Sequence, residues 1–196
     1  MTSYGQLNTI KESGKSLFTT EDLRQLLEIT KDRTLEDLIK RLIDQEILVQ
    51  MEKGKYLLKG AHTSDFEIAQ FLYSPSYISF ETALNYHGIL SQFPVEITSA
   101  TTKSTTQKQI LEKTYVYSKL SITLYTGYYK ENNTLIAYPE KALLDHLYMI
   151  SKGIKTEQYL DEMDYTNLDR TKIKKYVSLV PQKLQTKIAE LIETYL

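Results

Sequence analysis

Two helix-forming segments followed by a glycine-centred hairpin constrain the fold of the first 60 residues most strongly. The segment TTEDLRQLLEI begins with Thr19 and Asp22 at the spacing of a capping box. In the next segment, DRTLEDLIKRLIDQE, apolar residues recur at helical spacing on one face: Leu35, Leu38, Ile39 and Leu42. The stretch ILVQMEKGKYLL predicts two short strands joined at Glu52–Lys53–Gly54. With a short helix from Ser3 to Glu12 and a short strand at KSLF, this order predicts a winged helix-turn-helix.

The rest of the chain predicts a second, mixed domain. The stretch KGAHTS (59–64) reads as a linker, and residues 93–138 are rich in Val, Ile, Thr and Tyr. We predict three to four antiparallel strands there, with a polar loop over residues 103–109. A helix then begins at Pro139 and stops at Gly153, and two further helices form the tail. The predicted class is α+β: a winged helix over residues 1–60, then a domain over 61–196 with a small antiparallel sheet and C-terminal helices.

Composition excludes several classes of protein. The chain has 196 residues, a net charge of −1 and no cysteine, so it has no disulfide framework and no thiolate metal site. Its first residues do not form a secretory signal, and no apolar stretch approaches the roughly 18 residues that span a bilayer. We therefore expect a cytoplasmic protein with no membrane partner.

Catalytic and metal-binding patterns are not found in the sequence. The three histidines lack the spacing of a metal site, and no phosphate-binding glycine loop occurs. The stretch SYISFETALNYHGI contains Ser79, Glu81 and His87, but a helix that starts after Ser79 explains all three. It makes Ser79 an N-cap, places Glu81 in the first turn and places His87 at the C-terminal end. We predict no catalytic residue, no metal and no cofactor.

Candidate DNA contacts lie on the exposed face of the predicted helix DRTLEDLIKRLIDQE and at the hairpin. The first residues of a recognition helix reach base edges, and nearby cations bind phosphates. These candidates are Lys31, Arg33, Thr34, Asp37, Lys40, Arg41, Lys53 and Lys55. A solvated face with the ion pairs Glu36–Lys40 and Asp37–Arg41 explains the same residues. Residues 1–60 carry ten basic and ten acidic side chains, so a DNA site there must be a local patch.

Three segments resemble a known family. These segments are similar to the AbiEi-type antitoxins of bacterial type IV toxin–antitoxin systems. They are PSYISFETALNYHGIL, the P and ITSAT that follow it, and, further along the chain, IAYPEKALLDHLYM. The stretch KGKYLL is also similar to the G-x-Y wing of that family. The resemblance runs from about residue 3 to about residue 180. It implies an N-terminal winged helix followed by a C-terminal antitoxin domain.

The resemblance implies a function and two partners. Such proteins repress their own operon by binding inverted repeats in double-stranded promoter DNA. Their C-terminal domain counteracts a nucleotidyltransferase toxin, without a stable complex, in abortive phage infection. We therefore expect a non-enzymatic antitoxin and repressor that is a monomer or a homodimer. Two alternatives stay open: a protein-interaction module that binds a toxin or another partner without DNA, and an enzyme that reverses a toxin's modification.

Overall fold

The computed structural model describes residues 3–196, which divide into two compact units between Ser64 and Asp65. Within this range the chain forms eight α-helices, nine β-strands and one short 3₁₀ helix. The protein therefore has a mixed α and β fold, as the sequence predicts. No helix between residues 3 and 196 is both long enough and apolar enough to cross a lipid bilayer.

The first unit has a three-stranded sheet and three helices. Strand β3 lies between β1 and β2, and both pairings are antiparallel. The elements are, in order, α1 (Ser3–Glu12), β1 (Leu17–Thr19), α2 (Thr20–Leu26), α3 (Asp32–Asp44), β2 (Leu48–Glu52) and β3 (Lys55–Leu58). These are the helices and strands that the sequence predicts in this region.

Local chemistry accounts for the boundaries of these elements. The Thr19 hydroxyl accepts from the Asp22 N–H at 3.0 Å, and the Asp22 carboxylate accepts from the Thr19 N–H at 2.8 Å, so the predicted capping box is confirmed. Gly54 has a φ of 79° in the hairpin turn, a conformation that costs other residues energy. The core includes the predicted apolar face of α3, and each fully buried Leu or Phe contributes about 1.5–3 kcal/mol. Its most buried members are Ile10, Phe18, Leu23, Leu35, Leu42 and Leu48.

The second unit contains a six-stranded sheet and five α-helices in its described residues. One 3₁₀ turn, Leu160–Glu162, precedes the last two helices. The elements are α4 (Asp65–Leu72), β4 (Ser76–Ile78), α5 (Phe80–Tyr86), β5 (Glu96–Thr101), β6 (Thr106–Ile110), β7 (Lys113–Lys119), β8 (Tyr128–Glu131), β9 (Thr134–Ala137), α6 (Pro139–Ser151), α7 (Arg170–Val177) and α8 (Gln182–Tyr195).

The prediction of a small antiparallel sheet is wrong for this unit. The strand order is β6-β7-β5-β4-β9-β8, and the pairs β5–β7 and β4–β9 are parallel. Strand β4 was not predicted, because three buried residues carry no alternating pattern. Strand β6 occupies much of the predicted polar loop, since its polar side chains lie on an edge strand that faces solvent. Residues 121–127, which were predicted as strand, form a turn.

Helix α6 is the central helix of the second unit. It begins with Pro139 at its first position and stops before Gly153, which has a φ of 71°, so both predicted ends are confirmed. Every residue from Glu140 to Ser151 is buried, and α5, α7 and α8 all pack against it. A helix buried on all sides brings its polar side chains into the core, where they need partners.

Candidate functional site

The exposed face of α3 carries most of the predicted DNA contacts. Leu35, Leu38 and Leu42 turn inward and are at most 3% exposed, so the opposite face of the same helix points to solvent. Exposed side chains occupy that face and the residue before the helix: Lys31, Arg33, Thr34, Asp37 and Lys40. None of these five forms an ion pair or a side-chain hydrogen bond with any residue in the described range. Their charges are therefore open to an external partner.

Two of the predicted contacts already have partners within the first unit. The Arg41 guanidinium donates to the Gln6 side chain on α1 at 3.3 Å. The Lys55 ammonium lies 2.8 Å from the Glu52 carboxylate across the hairpin turn. Lys53 lies in the turn between Glu52 and Lys55 and is exposed. Of the hairpin candidates, Lys53 is thus the one best placed to meet a phosphate.

A groove of about 710 Å³ separates α3 from the hairpin. Ile39, Ile43 and Tyr56 provide its apolar lining. Lys40 on the helix and Lys53 on the hairpin also line the groove, together with Glu36. Two cations from different elements therefore border one concave surface, an arrangement that can hold an anionic backbone.

Arg24 is a positioning residue that the sequence does not reveal. Its guanidinium donates to the Asp32 carboxylate at 2.6 Å and to the Glu21 carboxylate at 3.2 Å. It also donates to the carbonyls of Ile29 and Thr30, both at 3.4 Å. These bonds connect the end of α2, the turn and the start of α3, so Arg24 orients the N-terminus of α3. No local pattern reveals this role, because the partners follow from the turn geometry.

The second unit contains a buried polar network at its centre. The Asp145 carboxylate accepts from the Ser79 hydroxyl at 2.8 Å and from the Tyr77 hydroxyl at 2.9 Å. The Lys141 ammonium, one helical turn away on α6, pairs with the same carboxylate and lies 3.0 Å from the Tyr77 oxygen. Lys141 is 0% exposed and Asp145 is 1% exposed, so a substrate in solution does not reach these atoms. We call Tyr77, Ser79, Lys141 and Asp145 the buried network.

Burial dominates the electrostatics of the buried network. It raises the pKa of the Asp145 carboxyl and lowers the pKa of the Lys141 ammonium, and the attraction between the two groups opposes both shifts. The pKa of Tyr77 is raised well above its ordinary value, first by burial and then by the charge of Asp145. The buried ion pair and its two hydroxyl donors therefore have a structural role. Removal of either charged partner would leave the other charge buried and uncompensated.

The residues Ser79, Glu81 and His87 do not form a joint site. Ser79 occupies the predicted N-cap position, but its side chain makes no cap bond and donates to Asp145 instead. The His87 ring donates from Nε2 to the Ala137 carbonyl at 2.8 Å. Glu81 pairs with Lys155. The predicted N-cap position of Ser79 is therefore confirmed, but its hydroxyl does not cap the helix, because a buried carboxylate competes for it.

A second polar cluster lies beside α6. The Nδ1 of His146 is 3.5 Å from the Glu81 carboxylate, and neither ring nitrogen has a hydrogen-bond partner in the described chain. Burial lowers the pKa of His146 to about 4, so the ring is neutral near pH 7. Burial opposes ionisation of Glu81, but attraction to Lys155, joined by attraction to His146 once that ring is protonated, outweighs burial and lowers the pKa of Glu81.

Replacing His146 with leucine is expected to reduce the acid sensitivity of the fold. Between pH 6.5 and about 4 the histidine of the unfolded chain binds a proton that the folded His146 does not. The free energy of unfolding therefore falls as the pH is lowered through this window, by up to about 1.4 kcal/mol per pH unit. Urea unfolding from pH 7.5 to 4.5 should give a flatter profile for His146→Leu. An unchanged slope would show that other groups cause the acid sensitivity.

The described residues contain no group of three or more metal-ligating side chains. No protein-family model matches the chain, and no curated protein matches its sequence.

Proposed function

We propose that the protein is an AbiEi-type antitoxin whose N-terminal winged helix binds promoter DNA and represses its own operon. The observation that carries the proposal is the pairing of α3 with the adjacent hairpin. Lys31, Arg33 and Lys40 on or next to α3, and Lys53 on the hairpin, are exposed and have no internal partner among the described residues. A helix that reads the major groove beside a hairpin that contacts the phosphate backbone uses cations in these positions.

The arrangement also indicates how the contacts divide. Arg33 lies in the first turn of α3, where a guanidinium can bond a guanine edge with two donors. Lys40 and Lys53 border the groove and are placed for phosphates. Asp37, on the same face, accepts from cytosine amino groups and disfavours nonspecific binding to phosphate. We therefore expect modest affinity with sequence preference, rather than strong general binding.

The antitoxin assignment extends the proposal to residues 61–196. Its support is that the segments that resemble the family form β4 with α5, β5, and β9 with α6. Tyr77 and Ser79 in the first of these segments contact Asp145 in the last. In this proposal the second domain counteracts a nucleotidyltransferase toxin without forming a stable complex with it.

Loss of Arg33 on α3 or of Lys53 on the hairpin is expected to weaken binding to DNA from the region upstream of the gene. Arg33→Ala should lower the affinity by about 1–3 kcal/mol for the preferred site, because it removes a base contact. Lys53→Ala should weaken binding to all sequences and reduce the salt slope by about 0.9. Fluorescence anisotropy with a labelled duplex at several salt concentrations measures both quantities.

Lys59→Ala is the matched control for these variants. Lys59 is exposed in the same unit, but it pairs with Glu46 and lies outside the groove. Its loss should leave the affinity and the salt slope nearly unchanged. Equal effects of Lys53→Ala and Lys59→Ala would reject the contact assignment. Absence of saturable binding by the parent chain would reject the repressor proposal.

A protein-interaction module is the second candidate. Asp32, Glu36 and Asp44 are exposed on α3 together with the cations. In the second unit, Phe93 is 88% exposed and Val95 is 95% exposed, which is typical of a surface that a partner covers. Stable co-purification with the product of the neighbouring gene, combined with no DNA binding, would favour this candidate over the first.

A further inference from the structure

A row of aromatic rings crosses the surface of the second unit. It runs from α4 through the end of α5 to strand β8 and the residue before α6, and we call it the aromatic row. Successive ring centroids are 5.8, 5.3, 6.4 and 4.9 Å apart. The rings are, in order, Phe66, Tyr86, His87, Tyr129 and Tyr138.

The aromatic row is accessible rather than buried. Tyr86 is 44% exposed and Tyr138 is 43% exposed, and the other three rings are half-buried. Aromatic rings bury a large apolar area when a partner covers them, so a continuous row with two exposed rings is a candidate binding surface. The high tyrosine content of the sequence, 16 residues, is consistent with interface use but does not locate it.

Glu131 places one carboxylate at the middle of the aromatic row. Its Oε2 accepts from the Tyr86 hydroxyl at 2.7 Å and from the Tyr129 hydroxyl at 3.1 Å, which fixes both rings. Within residues 3–196, its Oε1 has no partner, and no lysine or arginine pairs with the carboxylate. Lys130 precedes it on β8 and points to the opposite face of the strand. No described residue therefore neutralises the charge of Glu131.

This combination selects a cationic ligand with N–H donors. The faces of the rings attract cations, and the open carboxylate oxygen attracts a charged donor. A nucleic-acid phosphate would be repelled by Glu131. A quaternary ammonium would satisfy the rings but would offer no hydrogen to Oε1. A guanidinium meets both requirements, because it stacks on aromatic faces and donates in its own plane.

We propose that the aromatic row binds an arginine side chain in an extended segment of a partner protein. The guanidinium bonds Oε1 of Glu131 while it lies over Tyr86, the exposed ring whose hydroxyl the same carboxylate holds. One guanidinium covers only part of the row, so apolar neighbours of the arginine cover Phe66 and Tyr138. The proposal does not depend on DNA binding by the first unit.

Chemical shifts of the full chain, titrated with short peptides, test this proposal. The probe is an acetylated and amidated peptide, Gly-Leu-Arg-Leu-Gly, and the matched probe carries citrulline, which has the same shape without the charge. We expect saturable shifts at the backbone amides of Tyr86, His87 and Glu131 with the arginine peptide. We expect binding that is weaker by about tenfold with the citrulline peptide.

Variants separate the carboxylate from the rings. Glu131→Gln should weaken binding of the arginine peptide by about tenfold. Tyr138 forms no hydrogen bond with Glu131. Tyr138→Leu should therefore weaken binding of the arginine peptide by about two- to fivefold through loss of ring contact. Glu96→Gln is the control, because Glu96 is an exposed carboxylate outside the aromatic row. Melting temperatures of all variants check that each is folded.

Three results would overturn the proposal. The first is equal binding of the arginine and citrulline peptides, since charge would then play no part. The second is an unchanged affinity in both Glu131→Gln and Tyr138→Leu. The third is a short DNA duplex that shifts the same amides more strongly than the arginine peptide, which would make the aromatic row a nucleic-acid surface.

Discussion

Asp145→Ala is expected to lower the free energy of unfolding by about 3–5 kcal/mol, among the largest effects of any single replacement in the second unit. The change leaves the Lys141 ammonium buried without its counter-charge, and it removes the acceptor of the Tyr77 and Ser79 hydroxyls. An unpaired buried charge costs far more than the pair contributes, so the loss exceeds the value of the contacts themselves. Urea unfolding of the full chain, followed by circular dichroism, measures it.

The double replacement Lys141→Met with Asp145→Leu distinguishes charge from packing. Both new side chains are apolar and of similar length, so no charge remains unpaired in the core. The free energy of unfolding should recover most of the loss seen in Asp145→Ala. A double variant as unstable as the single one would show that the network stabilises the fold through its specific hydrogen bonds. Equal stability of Asp145→Ala and the parent would contradict the network altogether.

Gly127→Ala should destabilise the protein by about 2–5 kcal/mol through two additive causes. Gly127 has a φ of 75°, a conformation that costs a residue with a Cβ about 1–2 kcal/mol. A Cβ built at this position would also lie 2.8 Å from the Tyr176 ring and 2.9 Å from Cγ of Lys141. Since Lys141 is held in the buried network, the overlap forces a shift that costs about 1–3 kcal/mol.

Gly153→Ala is the matched control for Gly127→Ala. Its φ is 71°, but no atom lies within 4 Å of an added Cβ. It should therefore show only the conformational cost of about 1–2 kcal/mol. The difference between the free energies of unfolding of the two variants, measured in urea, gives the energetic cost of the close approach. If both variants lose the same stability, the contact of Gly127 with Tyr176 and Lys141 does not constrain the fold.

The first unit was predictable because its determinants are local. The capping box of Thr19 and Asp22 lies within four residues, and the turn at Gly54 joins strands that are adjacent in sequence. The apolar face of α3 repeats at helical spacing within one segment. Each of these patterns is decided by neighbours along the chain, which a single sequence displays directly.

The second unit was less predictable because distant residues decide it. Ile78 on β4 pairs with Ile136 on β9. Strand β5 pairs directly with β7, although β6 lies between them in the sequence. The Ser79 hydroxyl donates to Asp145, 66 residues along the chain, and does not cap its own helix. The candidate DNA residues were placed by helix geometry alone. The partners that hold Arg41 and Lys55 depend on how α1 and the hairpin turn fold, so the sequence did not reveal them.

The position of β4 has a consequence for the protein as it is being made. This three-residue strand connects the β5–β7–β6 half of the sheet to the β9–β8 half. On the ribosome, β5 emerges soon after β4 and can pair with one of its edges. The other edge stays open until residues 134–137 leave the exit tunnel. An unpaired strand edge invites pairing with another chain, so the nascent protein is most prone to aggregate during this interval of translation.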